Sequence, residues 1–206
     1  NIYSLVKLIK KIMLHDSVLI IETSYTGDIV NKKIFDWIYH EHLSYFAINP
    51  LNKFFKKLQL EIFDIEKSNS KGGSVRIYIK RKNHKIQIKN IVNKYLKYEK
   101  ITKLNTIQSF TKLKTIIDLE AKKIRNKIEK KNYRFIAGYG ASATTTTLIS
   151  YFKLGKKLNI LFDDNYLKNN TFNPQNKIPV KKLDLNLVKK IDCIIILAWR
   201  YKKLIL

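Results

Sequence analysis

Apolar residues recur at helical spacing near the start of the chain, at Leu5, Leu8, Ile9 and Ile12, with basic residues between them, and give way to a β-branched run over residues 17–21. That change of period predicts a helix followed by a short buried strand. A further helical stretch is expected over residues 29–35, and Pro50 suits the first turn of a helix reaching about residue 58. Residues 60–65 and 75–79 alternate as strands, separated by Ser and Gly, with Gly72 and Gly73 serving the turn of a β-hairpin. From residue 88 to 131 the apolar positions, among them Ile91, Tyr95, Leu113, Ile117, Ile124 and Ile128, return at helical spacing with lysines between them. This predicts solvated helices, the longer one near 110–131.

The clearest pattern lies downstream. Residues 134–138 form a strand, Gly138, Gly140 and Ala141 a turn, and residues 142–151 a helix, followed by buried strands at 159–162 and 193–198. Strand, glycine turn, helix, strand is a nucleotide-binding arrangement, and Asp163 and Asp164 fall at the carboxyl edge of its second strand, where ligands sit in open α/β sheets. The glycine pattern alone is weak evidence for a dinucleotide, because Thr145 or Ala143 breaks the full Gly-x-Gly-x-x-Gly fingerprint.

Candidate chemistry is concentrated in residues 35–46, FDWIYHEHLSYF, which bring together Tyr39, His40, Glu41 and His42 in a chain with only four histidines. A histidine takes and gives a proton near neutrality, and an adjacent carboxylate and phenol can hold it and stabilise negative charge on a substrate oxygen. The chemistry of the residues fits a proton-abstraction site. It also fits a buried polar cluster or helix cap. A zinc site fits less well, since catalytic zinc takes about three protein ligands and the single cysteine, Cys193, is far away inside an apolar run.

Several segments in order closely resemble the S-adenosylmethionine-dependent C-methyltransferases of nucleotide-linked 4-keto-deoxy sugars. They are FDWIYHEHLSYFAINPLNKFF, LEIFDIEK (60–67), GGSVRIYIKR (72–81), GYGASATTTTLISYF (138–152), ILFDDNYLKNNTFNPQNKIPV (160–180) and IILAWRY (195–201). The resemblance implies that the chain carries the C-terminal part of such an enzyme. His42 would be the base that removes the sugar C3 proton, with Tyr39 and Glu41 orienting base and sugar and His40 serving structure. Gly140, Ala141, Ser142 and Thr144 would hold the nucleotide diphosphate of the substrate, with Asp163 at the same edge. Many relatives carry Lys and Gly where this chain has Thr144 and Thr145, so hydroxyls would replace a charged contact.

The same resemblance implies an α/β fold in which a Rossmann-like substrate domain (133–206) follows a catalytic segment, hairpin and linking helices (35–132) and the tail of a truncated donor domain (1–34). S-adenosylmethionine would bind mostly outside these residues, what survives of its domain being at most a last helix and strand near residues 2–22 that end in Glu22, and the family's zinc would sit in a preceding module. The chain by itself is therefore expected to be inactive. The rival reading is an oxidoreductase or binding domain that uses the Gly140 turn for NAD or a nucleotide sugar.

Composition narrows the classes further. The net charge is +25, which raises a nucleic-acid reading. The excess is spread, however: 14 basic against 8 acidic residues over 1–84, 14 against 4 over 85–132, and 13 against 4 over 133–206. Only five of the 41 basic residues are Arg, the side chain favoured for phosphate and base recognition, which argues against a nucleic-acid partner. One cysteine fits a reducing compartment, and no apolar run reaches the roughly 18 residues of a membrane span. These features predict a cytoplasmic protein with no membrane partner.

Overall fold

The computed structural model describes residues 1–68 and 73–206, a mixed α/β chain that divides into two compact units. Gly72, expected in the hairpin turn, lies outside the described residues. The first unit comprises residues 1–33 and 44–111, the second residues 34–43 and 112–206.

In the first unit, helix α1 (Ile2–Ile12) precedes strand β1 (Leu19–Ser24) and a short helix α2 (Thr26–Asn31). Helix α3 (Ile48–Lys57) leads to β2 (Leu60–Ser68), β3 (Ser74–Arg81) and α4 (Asn90–Ile101). The strands form an antiparallel sheet in the order β1-β3-β2. The expected hairpin is present, and β1 is its third strand, running beside β3 from Leu19 opposite Ile79 to Ser24 opposite Ser74. Residues 1–33 thus share one core with residues 44–111, through Val6, Met13, Tyr25, Ile48, Phe55, Leu60, Ile77 and Ile79.

Helix α1 turns a different face inward from the one its spacing suggested. Val6 and Met13 are buried, with Ile2 and Ile9 packed against the core, whereas Leu5, Leu8 and Ile12 are exposed. Two apolar stripes coexist on this helix, and periodicity alone does not rank them. Gly73 has φ +140°, and a Cβ there would lie 2.7 Å from Asp28 Oδ2, so its place beside β3 is a backbone requirement.

Helix α3 starts at Ala47, a residue without a capping side chain. Its first amides are satisfied instead by Glu99 of α4: Ile48 N donates to Oε1 at 2.6 Å and Asn49 N to Oε2 at 2.8 Å, with Glu99 itself buried. A carboxylate at a helix N-terminus answers both the orphan donors and the helix dipole. Burial beside this carboxylate pushes the Tyr25 phenol far above its ordinary range. Glu99→Ala strands one buried and one part-buried donor, the buried one worth roughly 1–3 kcal/mol. The expected result is a loss of about 2 kcal/mol or more in urea denaturation.

The second unit holds most of the long helix α5 (Ile107–Lys130), then β4 (Ile136–Tyr139), α6 (Ala143–Tyr151), β5 (Ile160–Phe162), β6 (Thr171–Phe172) and β7 (Pro179–Lys181). Helix α7 (Leu185–Val188), β8 (Cys193–Ile196), a 3-10 turn (Trp199–Tyr201) and α8 (Lys202–Ile205) complete it. Its five-stranded sheet has the order β6-β7-β5-β4-β8, parallel except for β6 against β7. The strands β4 and β5 are near-continuous apolar runs, as a sheet covered on both faces requires, and Ala137, Leu161 and Phe162 are fully buried. From β4 the chain passes through α6 to β5 on one side and later returns to β8 on the other. The strand order therefore reverses beside β4, the place where open α/β sheets leave a crevice at their carboxyl ends.

Candidate functional site

Residues 34–43 leave the first unit and pack in the second. The point of return is pinned in the first unit, where Thr26 donates through both its amide (2.9 Å) and its hydroxyl (2.7 Å) to the carbonyl of Phe46. Within the second unit Ile34 is buried, and Phe35 lies 5.0 Å from Tyr151 and 5.4 Å from Phe152, ring to ring, at the end of α6. The segment is a series of turns rather than a helix, one closed by His42 N donating to Tyr39 O at 3.0 Å.

That turn sets the candidate base between aromatic rings. The His42 imidazole stacks on Trp37, with centroids 5.4 Å apart and planes at 27°, and meets the Tyr39 ring edge-on at 4.9 Å. Glu41 and His40 are exposed. A neighbouring carboxylate and phenol were expected to orient the base, and the rings of Trp37 and Tyr39 are what packs against its imidazole. Burial, then the Glu41 carboxylate, raises the Tyr39 phenol above its ordinary value of 10.0, so it stays a protonated donor throughout the neutral range. The His40 ring meets Tyr39 edge-on at 5.9 Å, the one ring contact it makes among the described residues.

Four residues that sequence reasoning passed over tie this turn to the sheet. Asp36 is buried and accepts from Arg200 through both carboxylate oxygens, Nη1 to Oδ2 at 2.7 Å and Nη2 to Oδ1 at 2.9 Å, and from Trp199 Nε1 at 3.0 Å. The Arg200 guanidinium also lies over Trp37 (5.1 Å) and Trp199 (4.4 Å). The available signal was an acid alone among large apolar residues in FDWI and an arginine between two aromatics in WRY, which are far apart in sequence.

The glycine turn lies at the same end of the same sheet. Gly140 has φ +109°, and a Cβ there would stand 2.8 Å from the Ala198 Cβ and 3.0 Å from its amide nitrogen. Ala198 immediately precedes Trp199 and Arg200, so the Gly140 turn and the Asp36 contact are joined through the carboxyl ends of β4 and β8. The closeness of Gly140 to Ala198 gives the glycine a packing reason that does not involve a ligand.

Internal bonds also decide which amides remain for an anion. Gly140 N donates to Phe162 O at 2.7 Å, and Ala141 N to Asp163 Oδ2 at 2.8 Å. Ser142 caps α6, its Oγ accepting from Thr145 N at 3.3 Å and lying 2.8 Å from Thr144 Oγ1. The amides of Ser142, Ala143 and Thr144 make no hydrogen bond within the described residues, and Ser142 and Ala143 are exposed. Any anion at this helix N-terminus would rest on those three and on the Thr144 hydroxyl.

Asp163 organises the turn rather than facing a ligand freely. It also accepts from Asn165 N (3.0 Å) and Lys168 Nζ (3.0 Å). Burial opposes its charge, but the bonds from Ala141, Asn165 and Lys168 prevail and hold its pKa below the ordinary 3.8. A depressed carboxylate stabilises the fold above its unfolded pKa and ceases to do so as pH falls through the folded one. The Ala141 amide resonance is therefore expected to stay in place from neutrality to about pH 4 and to move below it. Asp163→Asn should abolish that titration.

No group of three His, Cys, Asp or Glu among the described residues could hold a metal ion, and no helix among them is long and apolar enough to cross a membrane. Glu22 sits in an antiparallel sheet, where it accepts from Arg76 (Nη2, 2.9 Å) and Ser68 (3.2 Å).

Residues 69–206 match the family model described as C-methyltransferase C-terminal domain. Over 204 residues, 98% of this chain, the sequence is 22% identical to the C-methyltransferase NovU of Streptomyces niveus. The chain spans about half the length of that protein, 49% of it.

Proposed function

The chain belongs to the C-methyltransferase C-terminal domain family, and on that premise we propose that it handles the acceptor in a C-methyltransferase, a nucleotide-linked 4-keto-deoxy sugar alkylated at C3. The observation that carries the reading is that the His42 turn and the Gly140 turn, far apart in sequence, belong to one compact unit and meet through residues 198–200 at the carboxyl edge of its sheet.

A proton beside a ketone is only weakly acidic, so its removal needs a base and a donor to the oxygen that becomes negative. His42 takes the C3 proton. Tyr39, kept protonated by burial and by Glu41, donates to the enolate oxygen at C4. Glu41, exposed beside it, orients a sugar hydroxyl. The amides of Ser142 and Ala143 with the Thr144 hydroxyl receive the diphosphate, while Gly140, Ala141 and Asp163 hold the turn in shape. In this family S-adenosylmethionine supplies the methyl group. The steps assigned to this chain's own residues are those that prepare the acceptor carbon.

Titrating the chain separately with a nucleoside-diphosphate sugar and with NAD, each followed by amide chemical shifts, tests the proposal. The sugar nucleotide is expected to move the signals of residues 142–144 and NAD to leave them in place. Shifts at 138–147 caused by NAD alone would favour an oxidoreductase instead.

A further inference from the structure

The Asp36–Arg200 pair is a costly way to hold a loop. Its side chains are only 4% and 15% exposed, and the desolvation of a buried ion pair commonly cancels its Coulomb gain. What such a pair supplies well is geometry. The planar guanidinium grips both oxygens of Asp36 and lies against the Trp37 ring, fixing two successive side chains of the segment at once. Trp37 is in turn the surface on which His42 stacks. Trp199 closes the arrangement, its indole N–H bonded to Asp36 and its ring against the guanidinium.

We propose that Arg200, gripped by Asp36, is a positioning residue that sets the plane of Trp37 and through it the orientation of the His42 imidazole. The proposal rests on the reading of His42 as the base. Arg200 touches neither imidazole nor substrate in this scheme. It links the end of β8, where the Gly140 turn packs, to the ring that takes the proton, so that base and diphosphate site keep a fixed relation within one unit. A lysine at 200 would retain the charge and lose both the fork and the flat stacking surface.

The test separates this role from simple stabilisation. In the 206-residue chain, the imidazole proton signals of the four histidines are recorded, with His42 assigned by its disappearance in His42→Gln. Ring currents from Trp37 should displace the His42 signal in the wild type. Arg200→Lys is expected to move it towards the position of the exposed His40 signal while the amide spectrum stays folded. Asp36→Asn should do the same, but it leaves a buried arginine short of its partner and carries the larger folding penalty, so the decision rests on Arg200→Lys.

In the same samples, exchange of the C3 proton of a nucleoside-diphosphate 4-keto-deoxy sugar with deuterium is expected to slow roughly 10²-fold in Arg200→Lys, the cost of misplacing a reacting group by about 1 Å. The KM should change little. An unmoved His42 signal in Arg200→Lys would overturn the proposal whatever the exchange rate. Equal exchange in wild type and His42→Gln would instead overturn the assignment of the base, while a moved signal would still uphold the grip on the ring.

Discussion

His42→Ala is expected to lower turnover by roughly 10² to 10⁴-fold, the range for a lost general base, when the acceptor reaction is measured in a protein that also binds the methyl donor. Affinity for the sugar nucleotide should be nearly unchanged, because the amides proposed to hold the diphosphate belong to the start of α6 and not to this turn. His40→Ala provides the control. Although the two histidines are separated by one residue, His42 is half-buried on the Trp37 face, whereas His40 is exposed. The control should therefore leave both rate and folding close to wild type. Equal loss in the two variants would show that the segment needs two imidazoles for its shape, and wild-type turnover in His42→Ala would remove the base from this residue.

Local pattern made much of the architecture readable. The β2–β3 hairpin, the long α5 helix and the order β4, turn, α6, β5 follow from alternation, helical spacing and glycine placement, all of which act between near neighbours. Contacts between distant residues were not readable in the same way. Nothing local in residues 17–21 says that β1 completes the hairpin sheet, and nothing in Leu5, Leu8 and Ile12 says that the neighbouring stripe of α1 faces the core.

The candidate site divides along the same line. Tyr39, Glu41 and His42 were conspicuous as chemistry in one short run, and the turn that presents them is local. Asp36 and Arg200 were not conspicuous, because each looks like an ordinary charged residue until the fold brings them within 2.7 Å. Asp163 is the opposite case. Its place at the carboxyl edge of β5 suggested a ligand contact, and its oxygens also accept from Ala141, Asn165 and Lys168. An acid at such an edge can serve the loop as well as the ligand, and only the bonding partners tell which.

The Gly140 turn is where the two kinds of information collide, and Gly140→Val resolves it. Read from sequence alone, the glycine lets a phosphate approach, and valine would block the ligand without harming the fold. The geometry leads to a different expectation. At φ +109° a β-branched side chain is strained by about 1–3 kcal/mol. Its first carbon would also press on the Cβ, amide nitrogen and Cα of Ala198, at 2.8, 3.0 and 3.3 Å. Backbone cannot swing aside as a flexible side chain does, and overpacking of this kind costs about 1–3 kcal/mol more. Ala198 is moreover bonded through its amide to Tyr139 O at 2.9 Å, so moving it would disturb the register of β4 with β8. Gly140→Val is therefore expected to lower stability by roughly 3 kcal/mol or more in urea denaturation, and any loss of nucleotide binding should follow from that. Thr144→Val gives the contrast, because among the described residues the Thr144 hydroxyl is hydrogen-bonded to the exposed Ser142 Oγ alone and its removal should weaken binding of a sugar nucleotide while leaving the denaturation midpoint almost unchanged. A Gly140→Val chain as stable as wild type that no longer binds the nucleotide would restore the ligand-approach explanation for this glycine.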